Sequence, residues 1–419
     1  MPIFTPSLRE WTSSKTHLGL ALGFLFVSSP LHGSGFQLSE RSAIGLGRAY
    51  SGESVIGDDA SIVGSNPAGM SLLDHNSYSF GLTGVFPSID VSGSTPFGPV
   101  NDRDVISDAY IPSLYYSGKI NEAMSFGFGV FSPFGLESEY SQTFANSAVV
   151  EYSTMISINL NPSLSYRLNE LWTVGAGFNA LYADGEISSR FPGVGTQLFQ
   201  LTGDDWGYGY NLGVLYEYSP TTRFGLHYRS SIDLSLSGEA EIGANPWAFP
   251  PGTYDAGLEI ELPDSLELSF YHELNNQWAI HADVLWTNWS KFEDFNPIVD
   301  PAIDPFIATK ENWNDVFRFS LGTTYQYSDA LTLRAGIAID KSPVETRYRT
   351  LRIADTDRFW LSLGASYHLS DCYTIDLGYT HIFAPSADIN RKPGGNEDTF
   401  QGDIEGDGDL FSIGISGRF

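Results

Sequence analysis

The chain has 419 residues and a formal net charge of −28, with charged residues making up 17% and aromatic residues 14%. This composition is too aromatic for a disordered chain, and its acidity excludes a nucleic-acid-binding protein, which needs clustered Lys and Arg. The single cysteine, Cys372, excludes an intrachain disulfide and any paired-cysteine metal or redox motif.

The first predicted element is a targeting segment at residues 1–33. Lys15 precedes an apolar run at residues 18–27, which is about half the ~20 residues that a membrane-spanning helix needs. A basic flank, a short apolar core and small residues before a cut are typical of a secretory signal peptide. We expect cleavage after Gly33, which makes Ser34 the mature N-terminus.

The next segment, residues 34–74, does not alternate and is rich in Gly, Ser and Ala. It is too short and too polar to be an independent domain. Two arrangements are open, a disordered tail and a plug folded inside a barrel. Apolar residues such as Leu46, Val55 and Ile62 favour the plug.

Residues 75–419 read as extended strands with one apolar and one polar face. Trp172, Val174 and Ala176 alternate with small or polar neighbours, as expected where successive side chains point to opposite faces. Six short turns alternate with seven long polar stretches, which predicts about fourteen antiparallel strands in an all-β transmembrane barrel, with short turns in the periplasm. The turns are at 121–122, 169–170, 219–220, 275–276, 328–329 and 370–371, and the long stretches are 92–108, 137–151, 189–204, 238–264, 293–312, 344–351 and 390–406.

The last strand alternates from Phe411 to Phe419. Soluble proteins rarely expose such an edge, whereas a closed membrane barrel pairs it with the first strand. Phe419 resembles the assembly signal of Gram-negative outer-membrane barrels. We therefore expect a multi-pass outer-membrane protein whose partners include outer-membrane lipid and the barrel-assembly machinery.

The sequence then becomes specific to one family. Residues 34–38, 45–53 and 58–60, followed by Asn66, Pro67 and Ala68, resemble the N-terminal hatch of the FadL family of outer-membrane transporters for long-chain fatty acids and other hydrophobic compounds. Later matches, including 177–183 and 357–362, extend the resemblance over the mature chain. It implies a barrel closed by the hatch and passive uptake. A ligand caught in an extracellular apolar groove would pass to a pocket beside the hatch and leave sideways when the hatch rearranges.

The resemblance also implies a kinked third strand that opens the wall at Ser132, Pro133, Phe134 and Gly135. Pro133 cannot donate to the ladder and Gly135 tolerates a bend, so pairing should break there; the plainer alternative is the ragged end of a strand. The resemblance implies two ligand residues: Phe36 matches the hatch aromatic, and Arg190 matches a basic residue that meets the ligand carboxylate. The chain departs from the fatty-acid members at Asn314, which stands where they have a second basic residue.

The predicted function is uptake of a fatty acid or hydrocarbon by a monomer, without catalysis, cofactor or metal. One alternative is a general diffusion porin for polar solutes, which would lack the plug. The other is an outer-membrane lipid hydrolase, which would need Ser, His and an orienting group in hydrogen-bond reach. Asp403, Glu405 and Asp407 resemble part of a calcium loop but lack its closing Glu, so we favour a solvated extracellular loop.

Overall fold

The structure is a computed structural model that describes residues 35–95, 98–148, 150–191, 196–243, 250–299, 308–353, 355–390 and 400–419. The predicted signal peptide at 1–33 and the cleavage site before Ser34 lie outside these residues. Within the described ranges, no helix is both long enough and apolar enough to cross a membrane.

Most of the described chain is strand, and its short helices lie near the N-terminus or in loops. The helices are α1 (Ala43–Leu46), α2 (Ile62–Ser65) and the 3₁₀ helices Pro67–Leu72, Trp289–Lys291 and Thr346–Tyr348. The strands are β1 (Ser77–Thr95), β2 (Gly98–Asp102), β3 (Ala109–Lys119), β4 (Met124–Phe131), β5 (Gly135–Glu139), β6 (Tyr152–Arg167), β7 (Trp172–Arg190), β8 (Gln197–Ser219), β9 (Thr222–Arg229), β10 (Ile232–Ile242), β11 (Gly252–Leu262), β12 (Ser265–Glu273), β13 (Trp278–Thr287), β14 (Asp294–Phe295), β15 (Ile298–Val299), β16 (Thr309–Lys310), β17 (Val316–Ser328), β18 (Leu331–Asp340), β19 (Arg358–His368), β20 (Tyr373–Asn390) and β21 (Gln401–Arg418).

These strands form a closed antiparallel barrel of fourteen wall strands, which confirms the predicted fold class. The third, seventh and eighth wall strands are each interrupted, as β4/β5, β9/β10 and β11/β12. The ring closes where β21 pairs with β1, from Arg418 opposite Ser77 to Gln401 opposite Ser94. The C-terminal strand therefore has a partner on both sides.

All six predicted short turns lie between consecutive wall strands at one end of the barrel. In three of them an asparagine side chain closes the turn. Asn121 accepts hydrogen bonds from the backbone N–H groups of Ala123 and Met124, at 2.9 and 3.0 Å, and Asn169 and Asn275 make the equivalent pairs. An asparagine that binds its own backbone two residues on is a turn former by its chemistry.

The predicted extent of the long loops was wrong, because strands continue into several of the polar stretches. The stretch 92–108 contains the end of β1 and all of β2, which pair from Val91 opposite Asp102 to Thr95 opposite Gly98. The stretch 238–264 contains β11, paired along its length with β10. Polar hairpins extend the wall beyond the lipid belt, so polarity marked the membrane boundary and not the strand end.

The outer face carries a belt of exposed apolar side chains, including Leu363, Leu377 and Ile413. Aromatic pairs stack across strands near the short turns, with ring centroids 4.3 Å apart for Trp172 and Tyr216 and 4.4 Å apart for Trp278 and Tyr325. Apolar belts flanked by aromatic rings are what a barrel presents to lipid and its interfaces.

Candidate ligand pocket and hatch

The described residues of the segment 34–74, here called the hatch, lie inside the barrel, and most of them are buried. They pack directly on the inner wall because glycines face them. A β-carbon at Gly336 on β18 would lie 2.2 Å from the carbonyl oxygen of Arg48, and one at Gly364 on β19 would lie 2.8 Å from the α-carbon of Gly47. The hatch backbone thus approaches the wall as only glycine allows.

An ion pair between Asp58 and Arg334 joins a network of hatch charges to the wall. Arg48 lies 3.1 Å from Glu53 and 2.8 Å from Asp58, and Asp58 lies 3.3 Å from Arg334 of β18. The backbone N–H of Glu53 donates to Asp283 of β13 at 2.7 Å. These contacts satisfy buried charges on a polar inner wall, as burial of charge requires.

Asn66, Pro67 and Ala68 form the start of a 3₁₀ helix that is tied to β8. The Asn66 side chain accepts from the backbone N–H of Ala68 at 3.0 Å and donates to the carbonyl oxygens of Ser54 and Val214, at 2.7 and 3.2 Å. Pro67 follows at the first helical position, where its missing N–H costs nothing. The motif thus caps a helix and anchors it to the wall at once.

An apolar pocket, here called the outer pocket, lies on the long-loop side of Phe36. Its empty space, including its open side, is about 720 Å³. Six of its lining residues are Phe36, Met155, Leu236, Ile260, Phe295 and Arg352. A mostly apolar cavity with few polar groups is the usual form of a small-molecule site.

Phe36 sits at the base of this pocket in a cluster of aromatic rings. It is 4% exposed, and its ring centroid lies 4.7 Å from that of Trp289, 5.7 Å from Phe292 and 5.8 Å from Trp313. Edge-on pairs at such distances are favourable. The two tryptophans flank the predicted long stretch 293–312, whose pattern gave no indication of a pocket.

The third wall strand is interrupted where the sequence predicts. β4 ends with Phe131 opposite Asn159, and β5 begins with Gly135 opposite Ile156. Three residues therefore face two on β6, which is a one-residue bulge. Beyond it, β5 pairs with β6, and among the described residues it forms no ladder with β3, whose pairs to the third strand stop at Leu114 opposite Val130.

The hatch supplies hydrogen bonds at this interruption. The backbone N–H of Leu38 donates to the carbonyl of Pro133 at 2.9 Å, and the N–H of Gly135 donates to the carbonyl of Phe36 at 3.0 Å. The N–H of Phe134 donates to Ser157 Oγ of β6 at 3.1 Å, while Ser132 is half-buried beside it. The residue at the base of the outer pocket is therefore bonded to the kink.

Arg190 is not among the described residues that line the outer pocket. Its guanidinium pairs with Glu151 at 2.9 Å, and its role toward a ligand stays a prediction. Asn314 donates to Glu345 at 3.2 Å.

The arginine that does line the pocket is Arg352, which is 2% exposed and lies over the ring of Phe295 at 4.7 Å. Sequence reasoning missed it, because it follows a polar stretch with no recognisable motif.

Burial shifts the pKa of two hatch carboxyls. Burial raises the pKa of Glu40, partly opposed by hydrogen bonds from backbone N–H groups and by Arg358 and Arg318. Burial likewise raises the pKa of Asp59, against two hydrogen bonds from Ser61. Among the described residues, no group of three or more His, Cys, Asp or Glu side chains is placed to hold a metal ion.

Phe419 lies at the short-turn end, next to the first strand. Its backbone N–H donates to the carbonyl of Asn76 at 3.0 Å, its ring centroid lies 6.5 Å from that of Tyr78, and it is 69% exposed. This position matches an outward, lipid-side aromatic; its role as an assembly signal stays a prediction.

Comparison with known proteins identifies the family. Residues 24–419 match the model of the outer membrane protein transport protein family, OMPP1/FadL/TodX. The chain belongs to the FadL family. It is 34% identical to a long-chain fatty acid transport protein of Salmonella typhi and 33% identical to that of Escherichia coli K12, in each case over 96% of this chain and 98% of the relative. It is 31% identical to outer membrane protein P1 of Haemophilus influenzae, over 87% and 89% of the two chains.

Solved structures agree with this fold. A Pseudomonas aeruginosa FadL homologue superposes with a TM-score of 0.83 at 20% identity, over 92% of this chain and 100% of the other. The Ralstonia pickettii toluene transporter TbuX superposes with a TM-score of 0.67 at 18% identity, over 90% and 98%. The FadL-family relatives and the barrel together place the protein in the outer membrane of a Gram-negative cell. The similar proteins whose names state a function are transporters, not enzymes.

Proposed function

We propose that this FadL-family protein takes up long-chain fatty acids passively across the outer membrane. The observation that carries the proposal is the outer pocket, an apolar space of about 720 Å³ inside the barrel. Each methylene moved from water into such a site contributes about 0.8 kcal/mol. A polar solute gains nothing there, which disfavours the diffusion porin, as does the hatch that fills the lumen.

Fatty acids are favoured over hydrocarbons by two observations. The relatives that are at least 33% identical carry long-chain fatty acid transport in their names, whereas the toluene transporter is similar at 18% identity, which speaks for the fold alone. Arg352 also places a guanidinium in the lining, and guanidinium groups suit carboxylates. We assign the ligand carboxylate to Arg352 in preference to Arg190. Aromatic hydrocarbon uptake is the second candidate.

The exit that we propose runs sideways at Ser132, Pro133, Phe134 and Gly135. Support comes from the missing ladder between β5 and β3 and from the hydrogen bonds between the hatch and the kink. A ligand that displaces Phe36 breaks the bond to Gly135, so loading of the pocket and release of the kink are mechanically linked.

The pocket is tested with laurate binding to the purified barrel in detergent, measured calorimetrically. Leu236→Glu places a carboxylate in the lining and should abolish binding. Ile404→Glu is the matched control, since Ile404 is also buried but lies in a different apolar cluster. Loss of binding in both variants, or in neither, would count against the outer pocket as the ligand site.

A further inference from the structure

A second hollow, here called the belt groove, lies on the outer surface of the barrel across β19, β20 and β21. Its empty space, including its open side, is about 860 Å³. Three of its lining residues, Leu363, Leu377 and Ile413, belong to the exposed apolar belt, so the groove opens toward lipid. The other outward side chains in the lining are Ala365, Tyr379 and Phe411.

The groove forms because one small side chain stands among large ones. On the outward face of β19, Ala365 lies between Leu363 and Tyr367, and its cross-strand partner on β20 is Leu377. The methyl group of Ala365 leaves a space that an acyl chain can fill. Lipid tails are as apolar as leucine, so this space favours an acyl chain by packing alone and does not distinguish one lipid from another. Any preference must come from the head group.

A polar cluster lies at the upper end of the groove, on the side of the long loops. Along the outward face of β21, Ile413 and Phe411 are followed toward those loops by Asp409. The hydroxyl of Tyr379 donates to Asp409 Oδ1 at 2.7 Å, and Nδ1 of His381 lies 2.9 Å from the same oxygen. The rings of Tyr379 and Phe411 lie 4.9 Å apart at this level, and aromatic rings flank the apolar belt of a barrel where it meets the lipid head groups. A lipid whose chain fills the groove therefore places its head group beside Asp409.

Asp409 has an acceptor left for a ligand. Both hydrogen bonds use Oδ1, the side chain is 42% exposed, and no side chain among the described residues donates to Oδ2. The next outward residues of β21 are the exposed acids Asp407, Glu405 and Asp403. This face attracts a cationic head group and repels one that carries phosphate alone, since charges at such short range act strongly on each other.

We propose that the belt groove binds an ethanolamine phospholipid, with one acyl chain over Ala365 and the ammonium group hydrogen-bonded to Asp409. The ammonium group separates this lipid from phosphatidylglycerol and lipid A, which carry phosphate without it. A hydrogen bond between two ionised groups is roughly twice as strong as a neutral one, so it supplies the preference that the apolar groove lacks. The site lies outside the barrel and is separate from the proposed uptake route inside it.

Native mass spectrometry of the purified, delipidated barrel tests the site. The barrel is titrated with phosphatidylethanolamine, with phosphatidylglycerol of the same acyl chains and with lipid A. The wild type should retain one phosphatidylethanolamine at a collision energy that removes the other two lipids. Asp409→Asn should lower its occupancy about tenfold, the effect of one lost charge-assisted bond, and Ala365→Phe, which fills the groove, should abolish it.

Matched controls come from the outward face of β7. Asp184→Asn removes an exposed acid and Ala176→Phe enlarges an exposed alanine, both away from the groove, so neither should change lipid retention. All four side chains point outward, so each variant should fold, and laurate binding inside the barrel should be unchanged in all of them.

Three results on the wild type alone would overturn the proposal: no retained lipid, equal retention of phosphatidylethanolamine and phosphatidylglycerol, or preferential retention of lipid A. Among the variants, an equal loss in Ala365→Phe and Ala176→Phe would mean that the lipid belongs to the exchanging layer around the whole barrel. Full retention in Asp409→Asn would exclude the ammonium contact.

Discussion

The hatch contacts the wall so closely at Gly336 that one added methyl group at this position should make the barrel leak ions. In Gly336→Ala the new β-carbon would lie 2.2 Å from the carbonyl oxygen and 2.3 Å from the carbonyl carbon of Arg48, where ordinary contact begins at 3.4 Å. The obstacle is backbone, which cannot rotate away as a side chain does. The hatch must therefore shift by roughly 1 Å, and overpacking of this kind costs about 1–3 kcal/mol.

The shift acts on the part of the hatch that carries Arg48, whose partners Glu53 and Asp58 hold the segment in place. We expect Gly336→Ala to fold as a barrel and to show higher single-channel conductance in planar bilayers than the wild type. Gly408→Ala is the control, since a β-carbon there lies no closer than 3.6 Å to any neighbour. Equal conductance in the two variants would refute the argument that glycine contacts seat the hatch.

Three further outcomes are expected. Arg48→Gln leaves Glu53 without its ion-pair partner and Asp58 with Arg334 alone, so it should lower the free energy of unfolding by about 3–5 kcal/mol; an unchanged denaturant midpoint in detergent would contradict this. Replacing residues 132–135 with alternating Val and Thr should restore ladder bonds and strongly reduce uptake while laurate binding persists, and uptake at the wild-type rate would put the exit in the lumen. Deletion of Phe419 should impair assembly, seen as loss of the heat-modifiable barrel in the outer membrane; normal amounts of that species would exclude the role.

The barrel could be predicted well from the sequence, because strand alternation and turn formation depend on residues that are close together in the chain. Alternation along β7 and the turn chemistry of Asn121 and Asn169 each act within a few residues. The interruption at Pro133 was equally readable, since proline cannot donate to a ladder wherever it stands. The predicted bounds of the long loops were wrong because polar residues also pair as strands where the wall extends beyond the lipid. Hydrophobicity therefore does not indicate where those strands end.

The ligand site was harder to predict from the sequence, since its residues are far apart in the chain and come together only when the barrel has formed. Phe36 was predicted from its motif, but the rings around it come from Trp289, Phe292 and Trp313, which share no pattern with the hatch. Arg352 becomes a candidate only when its surroundings are known. The sequence does not distinguish a buried arginine from a solvated one, because the difference lies in the residues that surround the side chain in the fold.

The hatch is held unevenly, and this decides which part of it can move. Its body is fixed by backbone contact at Gly336, by the ion pair between Asp58 and Arg334 and by the Asn66 bond to β8. Its N-terminal end is held to the kink by two backbone hydrogen bonds and by aromatic contacts around Phe36. Two wall side chains add a hydrogen bond each, Arg358 to the carbonyl of Gly35 at 3.3 Å and Thr287 to Gln37 at 3.0 Å. A fatty chain entering the outer pocket offers those rings equivalent apolar contacts, so the exchange costs little there. It offers nothing to the buried ion pairs. Ligand loading should therefore release the end of the hatch that closes the kink while the body continues to block the lumen, which lets a hydrophobic molecule leave without opening a path for water.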